Sequence, residues 1–437
     1  MKTISPAQKI VHIVLLLCIA LFIGCGTIQK MVELPTTKTV EILAVNDMHA
    51  ALDNFPRLAF MIDSLRNIYP DLILVSGGDN QTGNPVNDQY PEKGMPIIEL
   101  MNALKFDMSA VGNHEFDSRL KGFEYITHKA NFDFICANIE LPKDADFRIK
   151  PYKIVKTPNG INTAFVSVLH INSTGIPDTH PDNVKGFAFM DPMIIANDYL
   201  FLRDSCDVFV MLNHFGFEND VMLANQLPTG VVDLIIGGHS HTKIDTVQIH
   251  NGIMITQAER RLKYATLIKL TINPDGKVSR EMDLLTVGNK GNFSPEIQAM
   301  VDTYNNNPAM TKTVAIAEDD FSTKKELGYL MTDALRTATG KDIALINPGG
   351  VRSSFLPKGA VLTKNVYEMD PFGNEIVLFN LSGHEIRNLL LSAFLLDDDS
   401  PIIPSGITTR YIMTSDGKLK DVELFTADGK TFDMDKT

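Results

Sequence analysis

The residues able to do chemistry cluster first in Gly112-Asn113-His114-Glu115-Phe116-Asp117, where an amide, an imidazole and two carboxylates follow directly on the apolar run 108–111. Four other stretches close short hydrophobic runs in the same manner: Asn46-Asp47-Met48-His49, Gly77-Gly78-Asp79-Asn80, Asn213-His214 and Gly237-Gly238-His239-Ser240-His241. Each run reads as a buried strand, so the polar groups fall at strand ends. Asp47 and His49 are two residues apart, as are His239 and His241, and side chains so spaced can point to one side. With Asp79, Asn113 and His214 they make seven candidate metal donors above one sheet edge. Imidazole mixed with oxygen suits Zn²⁺, Mn²⁺, Fe or Co²⁺ better than Ca²⁺. Seven donors exceed one tetrahedral site. They fit two divalent ions roughly 3.5–4 Å apart, with Asp79 as the bridging carboxylate. The residue types leave the identity of the metal open.

Two divalent cations set against the carboxylates of Asp47 and Asp79 leave the site positive by about two charges, the sign a phosphate dianion needs. Water held by such ions has its pKa brought from about 15.7 towards 7 and becomes a nucleophile at neutral pH. His114, beside Asn113, is free to donate to a phosphoryl or leaving-group oxygen, while Asp117 can fix its tautomer and favour its charged form. Taken singly, His214 after a strand, a Gly-Gly-His turn or Asp79 in a loop has an ordinary structural explanation. Five such clusters in series at strand ends do not.

These five stretches resemble the motifs of the calcineurin-like metallophosphatases, and within them the bacterial periplasmic 5′-nucleotidase branch, related to UDP-sugar hydrolase and 2′,3′-cyclic-nucleotide phosphodiesterase. The resemblance implies a four-layered α/β/β/α catalytic domain. It implies one metal among Asp47, His49, Asp79 and His241, and another among Asp79, Asn113, His214 and His239, with His114 and Asp117 as the catalytic dyad. Some relatives carry Gln at the position of His241, which also supplies a donor. Two later stretches, Asn347-Pro348-Gly349-Gly350-Val351-Arg352 and Pro371-Phe372-Gly373-Asn374, read on their own as tight turns with an exposed arginine and a loop aromatic. They resemble the two signatures of the 5′-nucleotidase carboxy-terminal domain, which binds the nucleoside and rotates it to the metal domain. By that resemblance Asn347, Gly350 and Arg352 line the substrate site and Phe372 is one face of a base clamp. Relatives usually continue with a second clamp aromatic beside a Gly-Gly-Asp sequence. The chain reaches Thr437 without one, so the expectation is an incomplete carboxy-terminal domain with weaker base selectivity.

Strands must position these residues. The pattern predicts them at 40–45, 72–75, 108–111, 132–137, 163–169, 208–212 and 232–236, with helices at 55–69, 96–104, 192–203 and 218–226 and a polar loop over 80–94. Hairpins are predicted around Asn251-Gly252 and around Pro274-Asp275-Gly276. Alternating strands and helices followed by hairpins suggest a layered α/β domain with two packed sheets. A linker over 289–310 carries a helix at 295–304. Beyond it a smaller α+β domain is predicted over 311–437, with helices at 324–339, 364–369 and 384–394 and strands at 343–346, 375–381, 410–414 and 422–426.

At 437 residues, two domains are the natural prior. The net charge of −13 argues against a nucleic-acid polymer or an anionic membrane surface as partner, though not against a small phosphate ester beside bound cations. Lys2 and Lys9 precede an apolar stretch that ends in Leu21-Phe22-Ile23-Gly24-Cys25. This looks like a lipoprotein signal peptide over 1–24, with Cys25 lipidated and 25–38 a tether; an ordinary secretory signal is the alternative. Cys136 and Cys206 lie in apolar runs and read as free thiols. The expectation is therefore an exported, periplasmic, membrane-anchored enzyme with a catalytic domain at 39–288. It would hydrolyse the 5′-phosphate of nucleotides to nucleoside and phosphate. UDP-sugar hydrolysis, 2′,3′-cyclic-nucleotide phosphodiesterase activity and broad phosphomonoesterase activity stay open within the same chemistry. A lipoprotein that captures nucleotides without hydrolysing them is the alternative from a different class.

Overall fold

The computed structural model describes residues 37–288, 290–372, 374–396 and 401–435. The expected signal peptide, Cys25 and all but the last two residues of the tether lie outside the described residues.

Strand Lys38–Val45 shows why the first half folds as layers. Val40, Ile42 and Ala44 point one way and Leu43 and Val45 the other, and all are buried, as the two-residue period of a strand covered on both faces requires. The first set packs with Ile73, Val75, Met108 and Ala110, and across a gap with Phe165, Val208, Val210, Leu234 and Met254. That gap is the interior between two sheets. Leu43 and Val45 instead join Phe55, Leu58, Ile62, Ile98, Met101 and Phe123 from three covering helices, Phe55–Ile68, Met95–Ala103 and Arg119–Lys129. On the far side Phe209, Met211 and Ile235 pack against Leu223 and Ala224 of helix Phe217–Gln226. The order helix, sheet, sheet, helix is the four-layered α/β/β/α arrangement.

The first sheet has seven strands in the order Val278–Thr286, Tyr264–Ile272, Lys38–Val45, Ile73–Ser76, Met108–Ala110, Asp133–Ile135 and Ile149–Lys150. From Lys38–Val45 onward the pairs are parallel. The second has six, Gln248–His250, Ile253–Thr256, Leu234–Ile236, Val208–Leu212, Asn162–Val166 and Tyr152–Lys156, with four parallel strands at its centre. Both anticipated hairpins form antiparallel pairs. Parallel strands place their carboxyl ends along one edge, where open α/β sheets carry their sites.

Helix Pro295–Asn305 is capped by Ser294, whose side chain accepts from the N–H of Ile297. Its Ile297 and Val301 are buried in the cluster beneath the first sheet, so this helix is fastened to the first half. In the second half helix Lys324–Thr339 begins in a Thr323–Glu326 capping box and ends at Gly340 in the left-handed region. One cluster gathers Leu327, Val351, Leu356, Val361 and Met369; another packs Ile386 and Leu390 of helix Gly383–Leu396 on the hairpin Ile407–Met413 and Leu419–Thr426.

Some elements differ from expectation: the loop over 80–94 carries the short helix Pro85–Asp88, whose cap Asn84 accepts from the N–H of Val86. Stretch 192–203 divides into helix Pro192–Asp198 and a 3₁₀ turn Leu200–Ser205. Residues 375–381 form no strand, and Ile376, Val377, Leu378 and Phe379 are exposed. Apolar composition made the stretch read as a strand, but no neighbour among the described residues pairs with its backbone, and an unpaired strand leaves its N–H and C=O groups without partners. No helix among the described residues is long and apolar enough to cross a membrane. Cys136 is buried and free, and Cys206 is free and half-buried.

Candidate metal centre

The five polar clusters meet at the carboxyl edges of the two sheets. Asp47, Asp79, His49 and His214 are almost fully buried, and Asn113 nearly so. The nitrogens and oxygens that converge are spaced as ligands of shared ions. His49 Nε2 stands 3.0 Å from His241 Nε2, and His241 Nε2 3.4 Å from Asp47 Oδ1. His214 Nε2 lies 3.2 Å from both Asp79 Oδ2 and Asn113 Oδ1, and His239 Nδ1 is 3.0 Å from that same Asn113 oxygen. Ligands bound at 2.0–2.1 Å in a tetrahedral shell are separated by about 3.3 Å, so these gaps match donors facing common ions.

The remaining hydrogen bonds fix which atom faces inward. His49 Nδ1 donates to the carbonyl of Thr82 at 2.9 Å, and His214 Nδ1 to the carbonyl of Gly77 at 2.8 Å, so each ring turns its Nε2 to the centre. Asn113 Nδ2 donates to the carbonyl of Asp178 at 3.0 Å, which leaves Oδ1 as the donor atom. Asp47 accepts from Asn46 Nδ2 at 2.6 Å and from the N–H of His239 at 3.0 Å.

Backbone strain marks the same positions. Asp47, His49, Asp79, His239 and His241 all have positive φ, between 45° and 78°. This left-handed region costs a side-chain-bearing residue roughly 1–2 kcal/mol, and strain of this kind gathers at functional sites. The cradle is also built without room for extra carbon. A Cβ at Gly112 would collide with Asp79 Oδ1, and one at Gly78 would come within 2.9 Å of His214 Nδ1. The donor set, its spacing and its strained backbone fit divalent metal ions.

His114 starts the 3₁₀ turn His114–Ser118, whose sequence neighbour Asn113 is among the donors. Its N–H donates to Asp79 Oδ1 at 2.9 Å, its Nδ1 to Asp117 Oδ2 at 2.7 Å, and its Nε2 stands 3.9 Å from Asp79 Oδ2. Burial opposes a charge on this imidazole, yet Asp79 and Asp117 outweigh it and hold its pKa up at about 9. His214 is likewise held up, at about 10, by Asp79 against its own burial. Burial and the neighbouring His214 push His239 down to about 3. Burial opposes the charge on Asp79 as well, but His214 and His114 prevail and keep its carboxyl well below the ordinary range.

Residues 40–243 match the family model for the calcineurin-like phosphoesterases, and residues 305–437 that for the 5′-nucleotidase C-terminal domain. The chain belongs to the 5′-nucleotidase family of calcineurin-like phosphoesterases. It is 25% identical to the silent protein UshA(0) of Salmonella typhimurium, over 90% of this chain and 82% of that one. It is also 25% identical to a 5′-nucleotidase of Vibrio cholerae, over 96% and 86%. Its fold matches a 5′-nucleotidase precursor from Thermus thermophilus with a TM-score of 0.78 at 24% identity, covering 91% of this chain and 88% of that one. The family is one of phosphoesterase hydrolases and implies divalent metal ions.

Family membership directs attention to where the second half meets the first. Phe372 lies parallel to His114, with ring centres 6.1 Å apart and 16° between planes, and the Arg352 guanidinium carbon is 5.4 Å from the Phe372 ring centre. Arg352 is anchored by its N–H on the carbonyl of Met369. Gly350 is buried in the turn Pro348–Gly350 and donates its N–H to the carbonyl of Asn347, whose own side chain is at the surface. Of the four expected substrate residues, Phe372 therefore stacks on His114 and Arg352 stands over Phe372. Asn347 and Gly350 shape the turn before Arg352.

Sequence reasoning passed over several supporting residues. Glu115 is wholly buried and accepts from the N–H groups of Asp79, Asn80 and Gly112 at 3.1, 2.8 and 2.7 Å, tying two site loops together. Asp117 is held by Thr82 and Thr179 hydroxyls at 2.8 and 3.0 Å. Asp220 holds Asn213 at 2.9 Å and is pushed up to about 7 by burial. The position of Glu115 between His114 and Asp117 was a signal; Thr82, Thr179 and Asp220 had none.

Proposed function

We propose that this chain is a dinuclear-metal 5′-nucleotidase that releases phosphate from nucleoside 5′-monophosphates. The observation that supports it best is the meeting of the two halves at His114, where an imidazole backed by Asp117 faces an aromatic ring and a guanidinium from the second half. Bound divalent ions would draw charge from the phosphoryl oxygens and acidify water. Asp47, His49, Asp79 and His241 would hold one ion, and Asp79, Asn113, His214 and His239 the other.

The protein's own side chains then divide the work. His114, with both ring nitrogens protonated, donates Nε2–H to the phosphoryl or leaving-group oxygen as charge builds there. Asp117 keeps Nδ1 engaged and so fixes the ring's orientation. Arg352 grips the phosphate through parallel N–H groups, and Phe372 offers its face to the base. The Lys2–Cys25 segment supports export with a lipid on Cys25 and a periplasmic orientation.

The deciding assay uses metal-stripped protein with Mn²⁺, Zn²⁺ or Co²⁺ added back, and measures phosphate release from AMP, UDP-glucose, 2′,3′-cyclic AMP and p-nitrophenyl phosphate. AMP should be the best substrate, and only after metal is restored. Cleavage of p-nitrophenyl phosphate with AMP left intact under every metal would sink the nucleotidase reading.

A further inference from the structure

The loop that leaves the bridge between Leu169 and His214 and ends at the 3₁₀ turn Pro181–Val184 runs along one side of the candidate metal centre. It begins beside a candidate donor, since the N–H of His170 donates to the carbonyl of His214 at 2.8 Å. Further along, the carbonyl of Asp178 accepts from Asn113 Nδ2 at 3.0 Å. The carboxylate of the same Asp178 faces a second donor. His239 turns Nδ1 to Asn113 Oδ1 at 3.0 Å, which leaves its Nε2 on the far side of the ring, 3.6 Å from Asp178 Oδ2. Asn172 keeps that carboxylate in place by donating Nδ2 to Oδ1 at 3.0 Å, and closes the loop through its own N–H on the carbonyl of Ile176 at 2.8 Å.

His170 lies along the His239 ring, with centres 4.8 Å apart and 29° between planes, and its Nε2 is 3.8 Å from Asp178 Oδ2. His170, Asp178 and His239 are close enough together to hold an ion of their own, but the hydrogen bonds argue against it. Asn219 donates Nδ2 to the carbonyl of Phe215 at 2.8 Å, which fixes the amide, and the same nitrogen is 3.4 Å from His170 Nδ1. His170 Nδ1 is thereby the acceptor and Nε2 carries the hydrogen, so the ring turns a donor to Asp178 and not a lone pair. His239 is in the matching state whenever its Nδ1 serves a metal, because Nε2 then carries the hydrogen and faces the same carboxylate.

We infer that Asp178 is a positioning residue for the ion assigned to Asp79, Asn113, His214 and His239: its carboxylate takes the Nε2–H of His239 and turns Nδ1 inward, while its carbonyl aims the Asn113 oxygen. The inference rests on the two-ion part of the nucleotidase reading and adds the residue that sets two of one ion's four donors. A carboxylate on the second ring nitrogen fixes the tautomer, holds the ring's orientation and makes the other nitrogen a better donor. His170 walls the ring from its face. The other ion, assigned to Asp47, His49, Asp79 and His241, does not depend on this loop in the same way, since His49 is turned inward by the carbonyl of Thr82.

The test titrates the metal-free full chain with Mn²⁺ by calorimetry, for the unaltered protein, Asp178→Ala and Asp178→Asn. Both variants keep the backbone carbonyl on Asn113, so they isolate the carboxylate. The unaltered protein should bind two ions. Asp178→Ala should weaken one of them about 10–100-fold and leave the other as it was. Asp178→Asn, whose amide oxygen still accepts, should fall between. The Asp178 side chain is 47% exposed, so urea unfolding of the metal-free variants should match that of the unaltered protein. With Co²⁺ as the probe, the visible absorption of one bound ion should change and that of the other should not. Unchanged affinity for both ions overturns the inference. So does an equal loss at both, or a loss matched by lower stability of the metal-free protein, either of which makes Asp178 a prop for its loop. A third ion that binds the unaltered protein and is absent from Asp178→Ala would give the trio a site of its own and overturn it too. If the unaltered chain binds a single ion, the two-ion reading fails by itself, and the inference stands or falls on whether Asp178→Ala weakens that ion.

Discussion

His114 lies near enough to His49 and Asp79 to share an ion with them. Yet its Nδ1 is taken by Asp117 and its Nε2 stands 3.9 Å from Asp79 Oδ2, farther than the gaps between the other candidate donors, so the proposed mechanism gives it the proton-donating role. His114→Ala should lower kcat about 10²-fold or more while elemental analysis finds the metal content unchanged. Loss of metal from this variant would show that the ring serves the site's structure instead. His214 gives the complementary prediction. With its pKa at about 10 it carries a proton at neutral pH in the metal-free protein. An imidazolium cannot donate a lone pair, so metal entry must expel that proton. Apparent affinity should therefore rise with pH between 7 and 9. Calorimetric metal titrations in buffers of different ionisation enthalpy should report at least one proton released. That the seven candidate donors, His114 and Asp117 come together could be read from sequence because each sits at or close after a strand end. Asp178, whose carbonyl orients Asn113 from 65 residues away, could not, since nothing local marks a carbonyl that only folding brings near.

At the scale of elements, the 3₁₀ turn His114–Ser118 and the loop Gly77–Asn80 act as one unit because Glu115 joins them. Removing its carboxylate by Glu115→Ala would leave the N–H groups of Asp79, Asn80 and Gly112 without that acceptor in a buried setting. Each unsatisfied group costs about 1–3 kcal/mol. The variant should lose several kcal/mol in urea unfolding and bind metal more weakly, since Asp79 and Asn113 flank the broken tie. Unaltered stability would mean that water or another acceptor replaces the carboxylate. Strands and hairpins were legible because alternation and turn residues are local signals. The stretch 375–381 was not, because apolar composition alone does not supply the neighbouring backbone that makes a strand. Nor could the helix at 295–304 reveal from its own periodicity that Ile297 and Val301 lie beneath the first sheet.

On the scale of the whole molecule, the two halves contribute different parts of one cleft. The first carries the candidate metal donors with His114 and Asp117, and the second brings Phe372 against His114 and Arg352 against Phe372. Phe372 is 36% exposed although it lies over the half-buried His114 imidazole and near the Arg352 guanidinium, so part of the ring remains open to solvent. A planar base stacking on an aromatic side chain is worth about 1–3 kcal/mol, whereas p-nitrophenyl phosphate has a smaller ring and no ribose to carry it to the second half. Phe372→Ala should therefore raise KM for AMP about tenfold or more and lower the AMP-to-p-nitrophenyl phosphate ratio of kcat/KM. Should both substrates lose activity equally, Phe372 is acting on His114, with which it is stacked, and the base is recognised elsewhere. A fall in kcat for both with KM unchanged would identify the ring as a support for the dyad. Only a selective rise in KM for AMP assigns it to the nucleoside.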